Sequence, residues 1–231
     1  MSKEKEVSRE RLMPILHRLV NILVNLQIEG GDNVPDTGGY VLATSHISRL
    51  DSVFLLLSTT RKNVIPMVAK DYEKAPFFGW FLNKIGVIWL SREGYDFQAF
   101  REASSYLKSG GIVGLAPEGT RSTTGGLLEG KPGAALLAMK NKVKIIPAAV
   151  LGSADMVKSF LKLRKMNVKV IFGQPFDLSG IDEGGREKDF LEQATTEIML
   201  RIAMLLPEER RGVYSDHPRL RVLLESQGLP K

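Results

Sequence analysis

Short apolar runs of strand type alternate with helical patterns along most of this chain, and that alternation restricts the fold more than any other feature. The strand-type runs fall at residues 40–43, 64–68, 87–90, 112–115, 145–150 and 168–172. Helical patterns occupy 52–59, 76–84, 96–108, 132–141 and 154–162, and a last, longer helix is expected over 187–206. Such an order predicts an α/β fold with a largely parallel, mixed central sheet flanked by helices. A length of 231 residues suits one well-packed domain with a small appendage. The expected division is an N-terminal amphipathic segment over 1–29, the α/β domain over 30–206 and a charged C-terminal tail over 207–231. Pro218 and Pro230 punctuate that tail, which is expected to pack late or loosely.

In the N-terminal segment, a helix is expected over about residues 13–27. Leu12, Ile15, Leu16, Leu19, Ile22, Leu23 and Leu26 recur at helical spacing, with Arg18, Asn21 and Asn25 on other faces. Pro14 would fall in the first turn, where its missing N–H costs little. The pattern fits a helix docked on its own core and equally one lying in a membrane interface. Residues 1–11 are charged rather than apolar, so no secretory signal is expected. The longest unbroken apolar run, Ala134–Met139, is far short of the roughly 20 residues a spanning helix needs.

Cysteine is absent, which excludes disulfides, thiolate metal sites and a cysteine nucleophile together. His17, His46 and His217 are the only imidazoles, so a three-histidine metal site would need all of them. The net charge of +6 favours acidic partners, among them nucleic acid, anionic lipid and phosphorylated substrates.

Open α/β sheets carry their sites at the carboxyl ends of strands. Two loops at such positions are chemically loaded: Thr44 to Asp51, and Ala116 to Ser122. On one helix His46 and Asp51 would stand about 140° apart. They can meet only if the residues between them turn and Asp51 begins the next helix. The carboxylate could then hold one ring nitrogen and leave the other as a general base. Asp51 as a plain helix cap and His46 as a solvated loop residue fit the same spacing. Glu118, Gly119, Thr120, Arg121 and Ser122 add a carboxylate, two hydroxyls and a guanidinium, the last suited to phosphate through its planar fork. Gly125 to Lys131 has P-loop spacing, but Pro132 stands where a magnesium-binding hydroxyl belongs, so nucleotide hydrolysis is rejected. Lys131 at the start of the following helix could still meet a phosphate. No G-x-S-x-G, H-E-x-x-H or G-x-G-x-x-G occurs.

Four blocks in order resemble the glycerolipid acyltransferase family, whose best-known members are 1-acylglycerol-3-phosphate acyltransferases. His46 through Asp51 matches H-x-x-x-x-D, and Gly86-Val87-Ile88-Trp89-Leu90-Ser91-Arg92 matches the second block. Pro117-Glu118-Gly119-Thr120-Arg121-Ser122 matches the third, and the proline-bearing run Ile146 to Val150 the fourth. The likeness covers about residues 28–172. Departures are Ala116 for a usual phenylalanine, Ser91 for an aspartate before the arginine, and Ser45 for an asparagine before the histidine.

The resemblance implies transfer of a fatty acyl group from acyl-coenzyme A or acyl carrier protein to the free hydroxyl of 1-acylglycerol 3-phosphate. His46 would be the general base and Asp51 its orienter. Arg92, Glu118, Gly119, Thr120, Arg121 and Lys131 would bind the acceptor. No metal or cofactor is implied. Another lysophospholipid or glycerol 3-phosphate would suit the same chemistry. The N-terminal helix then becomes a membrane-associating segment, and the expected location is the cytoplasmic face of a membrane, peripheral or monotopic. Nucleic acid is not an expected partner, because Lys162, Arg164, Lys165 and Lys169 form the only dense basic cluster and read as a solvated face.

Overall fold

The computed structural model describes residues 3–91, 94–155, 164–181 and 187–226. Its centre is a seven-stranded sheet in the order β1-β7-β6-β2-β5-β3-β4. The strands are β1 (Val24–Glu29), β2 (Tyr40–Thr44), β3 (Val64–Ala69), β4 (Ile88–Leu90), β5 (Ile112–Leu115), β6 (Lys144–Leu151) and β7 (Met166–Phe172). From β6 across to β4 every neighbouring pair is parallel. β7 runs antiparallel to β6, and β1 is parallel to β7. The expected α/β fold with a largely parallel, mixed sheet is therefore present. Central strands are apolar on both sides, as a sheet covered on both faces requires: Val41, Leu42, Ala43, Ile145 and Ile146 are all buried.

Helices cover the two faces. On one, α4 (Phe97–Lys108), α5 (Gly133–Asn141), α6 (Glu187–Ala203) and the C-terminal α7 (Pro218–Ser226) share a core with Val41, Val113 and Ile145. On the other, α1 (Lys3–Leu23), α2 (Asp51–Leu57) and α3 (Pro76–Ile85) pack with Leu42, Ile112 and Ile146. Alternate residues of the central strands thus feed opposite cores, the period-two consequence of the pleat. Asp96 caps α4 by accepting the Ala99 N–H at 2.9 Å.

Two expectations fail here. The N-terminal helix begins earlier and ends earlier than expected, placing Pro14 inside it. Residues 24–27 belong to β1, an edge strand in parallel register with β7 from Val24↔Met166 to Glu29↔Ile171. Leu26 continues the helical spacing of Ile22, yet Val24, Leu26 and Ile28 also alternate, and pairing with β7 decides for the strand. The segment after Pro207 also does not pack loosely. It forms two 3-10 turns and α7, and buries Tyr214, Leu220 and Leu224 in the same core as α6. Its Arg219 bonds the Glu197 carboxylate at 2.6 Å, and Glu197 also takes Arg201 at 3.0 Å. Burial raises the Glu197 pKa, but its bonds and charge pairing with the two guanidinium groups outweigh burial and leave it lowered. The helix expected over 154–162 lies almost wholly outside the described residues, apart from a 3-10 turn over Ser153–Asp155. No described helix is long and apolar enough to cross a membrane.

α1 is apolar on two adjoining sides. Leu12, Met13, Leu16 and Val20 pack on the core, while Ile15, Leu19, Ile22 and Leu23 are exposed. Arg9 pins its N-terminal half to the sheet through a 2.7 Å bond to the Val64 carbonyl.

Candidate active site

β2 and β5 lie side by side at the middle of the sheet. The chain leaving β2 turns to α2 on one face, and the chain leaving β5 turns to α5 on the other. Divergence of neighbouring connections opens a crevice at the strand ends, where α/β proteins bind ligands. A cavity of about 430 Å³ occupies this place. Its lining includes the polar side chains of His46, Arg49, Thr120 and Lys131, and many apolar ones, Leu56, Phe78, Leu82 and Leu137 among them.

His46 and Asp51 come close through a turn, the one arrangement in which their spacing lets them meet. Residues 45–50 form the turn, and Asp51 is the first residue of α2. Its buried carboxylate accepts the Ile47 and Ser48 N–H groups at 2.8 and 2.7 Å. Its other oxygen accepts the Ser153 hydroxyl at 2.5 Å. Asp51 therefore points back onto the loop, while Leu50 holds the cap position of α2. His46 Nδ1 stands 3.6 Å from Asp51 Oδ2, just beyond direct hydrogen-bond reach. With Nδ1 turned to the carboxylate, Nε2 is the ring nitrogen free to serve a substrate in the cavity.

The second loop is joined to the first. Glu118 is buried and accepts the His46 N–H at 2.8 Å and the Leu128 N–H at 2.9 Å, one on each oxygen. In return the Ser122 N–H donates to the His46 carbonyl at 2.9 Å. Burial pushes the Glu118 carboxyl above the usual carboxylate value, against the lowering effect of its two backbone donors and of His46. Gly119 has φ +67°, and a Cβ there would come within 3.1–3.3 Å of the Lys131 side chain. The glycine thus lets the turn form and lets Lys131 lie across it. α5 has no side-chain cap at its N-terminus, so its leading N–H dipoles add to Lys131 as an attraction for an anion.

Of the residues that the sequence points to, His46, Gly119, Thr120 and Lys131 come together around the cavity. Asp51 lies behind His46, and Glu118 lies beneath the loop with both oxygens on backbone donors. Arg121 is exposed and is not among the residues lining the cavity. Arg92 lies outside the described residues. Sequence reasoning passed over Ser153, Tyr214 and Arg49. Ser153 follows the carboxyl end of β6, the position that could have drawn attention to it. Tyr214 accepts the Gly130 N–H at 3.0 Å from a segment that reads only as a charged tail. Arg49, inside the first motif, lines the cavity and lies over the Tyr72 ring at 5.6 Å. His17 is on α1 and His217 precedes α7, both away from the cavity lining. Lys165 bonds the Asn21 carbonyl and Lys169 pairs with Glu29 at 2.7 Å. Lys165 and Lys169 of the basic cluster thus help fasten α1 and β1.

Sheet, crevice, imidazole beside a buried carboxylate and cationic loop place the protein in the class of α/β folds that carry a site at the carboxyl ends of their strands. Residues 25–151, more than half of the chain, match the family described as Acyltransferase, and the chain belongs to that family. It is 30% identical over 158 residues to the 1-acyl-sn-glycerol-3-phosphate acyltransferase of Bacillus subtilis, covering 66% of this chain and 77% of that one. The protein of the same name from Streptococcus pneumoniae is 27% identical over 195 residues, covering 79% and 71%. The crystal structure of the 1-acyl-sn-glycerophosphate (LPA) acyltransferase PlsC from Thermotoga maritima shares the fold. Its TM-score is 0.59 at 22% identity, over 85% of this chain and 82% of that chain.

Proposed function

We propose that this acyltransferase moves a fatty acyl group from a thioester donor to the free hydroxyl of 1-acylglycerol 3-phosphate, giving phosphatidate, at a membrane surface. The observation that carries the reading is the shared cavity, lined by the His46 imidazole, the Lys131 ammonium and the Arg49 guanidinium together with many apolar side chains. A phosphate-bearing acceptor and an acyl chain need those two environments side by side.

His46 Nε2 takes the proton of the acceptor hydroxyl as its oxygen bonds to the thioester carbon. The tetrahedral intermediate then expels the thiolate, and the imidazolium returns the proton to that sulfur. Asp51 steadies the imidazolium without being protonated itself, held rigid by three hydrogen bonds. The 3.6 Å gap to Nδ1 tightens when the ring becomes charged, as catalytic contacts commonly do on binding substrate. Lys131 and the N-terminus of α5 take the acceptor phosphate, and Thr120 lines the same cavity. Either acyl-coenzyme A or acyl carrier protein would supply the thioester, and both are acidic partners for a chain of net charge +6. No metal or organic cofactor has a step in this scheme.

The membrane surface accounts for the exposed apolar side chains. On α3, Phe77 is 78% and Trp80 51% exposed, while Phe78 and Leu82 of the same helix line the cavity. α3 packs beside α1, whose Ile15, Leu19, Ile22 and Leu23 are also exposed. Aromatic and aliphatic side chains on adjoining helices, with Arg11 and Arg18 exposed on α1, suit shallow insertion near anionic headgroups. Such docking places the enzyme peripherally, on the cytoplasmic face if its soluble donors are cytoplasmic. Replacing Phe77 and Trp80 by Ser should weaken sedimentation with anionic vesicles while leaving the melting temperature unchanged; undiminished vesicle binding would remove α3 from the docking surface.

The test of function is product formation. Wild-type enzyme is given lysophosphatidate, glycerol 3-phosphate or lysophosphatidylcholine in turn, each with acyl-coenzyme A and with acyl carrier protein. Phosphatidate as the dominant product supports the reading, whichever donor serves. Preference for another acceptor would replace the acceptor and retain the chemistry.

A further inference from the structure

We propose that Tyr214 is a positioning residue for Lys131, and through it sets how strongly the enzyme prefers a phosphate-bearing acceptor. This inference rests on the reading of Lys131 as the acceptor's phosphate contact. It concerns a part of the chain beyond the residues 25–151 that match the family.

The long loop between β5 and α5 has no regular structure over its middle, so something must fix its shape. Its base is closed by the Lys131 N–H bonded to the Pro117 carbonyl at 2.8 Å, and Glu118 holds Leu128 from inside. The outer edge is fixed by the segment after α6. Leu127 N–H donates to the Arg210 carbonyl at 3.1 Å, and Val213 N–H donates to the Leu127 carbonyl at 3.2 Å. Glycines make this contact possible. A Cβ on Gly126 would lie 3.0 Å from Gly212 Cα, and one on Gly212 would lie 2.1 Å from the Leu127 carbonyl oxygen. Gly130 presses on α6 closely enough that a Cβ would lie 2.6 Å from Met199 Cγ.

Tyr214 completes the brace at its most consequential point. Its hydroxyl accepts the N–H of Gly130, the residue before Lys131. The ring is buried, and burial raises the phenol above its ordinary pKa, keeping it neutral. Leu220, Leu224 and the Arg219–Glu197 bond anchor the segment that carries it. A rigid support therefore runs from α6 through Tyr214 and Gly130 to the ammonium lying across Gly119.

The test is Tyr214→Phe, which keeps the ring and removes the acceptor oxygen. Lysophosphatidate and monoacylglycerol, which lacks the phosphate, are compared as acceptors, with the melting temperature measured alongside. The variant should raise KM for lysophosphatidate about three- to tenfold with kcat nearly unchanged, the loss of about one ordinary hydrogen bond. Preference for lysophosphatidate over monoacylglycerol should fall by the same factor. In a Lys131→Ala background the same change should have no further effect on that preference. Equal losses on both acceptors, or full additivity with Lys131→Ala, would assign Tyr214 a merely structural role and overturn the proposal. A wild type that does not acylate lysophosphatidate counts against the acceptor reading and this assignment together. A wild type that does, with unchanged preference in Tyr214→Phe, overturns this assignment alone.

Discussion

The two loops that meet at the cavity are held in opposite ways. The loop after β2 is short and fixed mainly by the carboxylate at its own end, which gathers two of its N–H groups and a hydroxyl from the end of β6. The loop after β5 is long and fixed mostly from outside, by α6 and the segment that follows it. Both use a buried carboxylate, but with different surroundings. Asp51 stands beside an imidazole at 3.6 Å, whereas both oxygens of Glu118 bond backbone N–H groups. In the proposed mechanism one loop orients a single ring and the other shapes a binding surface. Removing parts of the first should therefore lower kcat, and removing parts of the second should raise KM or lower stability.

The largest effect is expected at His46, the proposed base. His46→Ala should reduce kcat by about 10²–10⁴-fold, the usual contribution of general-base catalysis, with the melting temperature little changed. A variant that keeps wild-type turnover would break the distinction at its root. Ser153→Ala comes next. It leaves one oxygen of a buried carboxylate without its hydroxyl donor, which should cost about 1.5–3 kcal/mol in stability by chemical denaturation. Its kinetic loss should appear in kcat, because Asp51 acts on His46; a change confined to acceptor KM would blur the two loops.

Glu118→Gln should have the smallest kinetic effect. An amide can accept only one of the two N–H groups, so stability should fall by about 1–3 kcal/mol at neutral pH. The sign of its pH dependence follows from burial, which raises the folded pKa above the ordinary 4.5. Protonation of Glu118 then favours the folded state. Its contribution is full below the unfolded pKa and is lost as pH rises through the folded value. The stability gap between wild type and Glu118→Gln should accordingly be widest on the acid side and narrow as pH rises. A gap that widens with rising pH would contradict the raised pKa.

Much of this arrangement is legible in the residues. Alternation of strand and helix patterns leads to the sheet, and His46 and Asp51, at a spacing that lets them meet only across a turn, do have that turn between them. Illegibility has physical causes. Edge strand β1 continues a helical spacing through Leu26, so only its partner strand can decide between the two periods. Arg211 and Tyr214 sit in a stretch crowded with charge, yet both are buried. Their partners, Leu206 and Gly130, are backbone groups that leave no mark on the sequence. Ser153 carries no motif, and its bond to Asp51 spans more than a hundred residues. The family resemblance implies an acceptor contact for Glu118, whereas its side chain is buried with its two oxygens on backbone donors of the two loops.

Steady-state kinetics with lysophosphatidate varied, for His46→Ala beside Lys131→Ala, tests the division of labour most directly. The expected result is a collapse of kcat with acceptor KM nearly unchanged for His46→Ala, and a raised acceptor KM with kcat largely kept for Lys131→Ala. Identical losses of kcat in both variants, with acceptor KM unmoved, would contradict it.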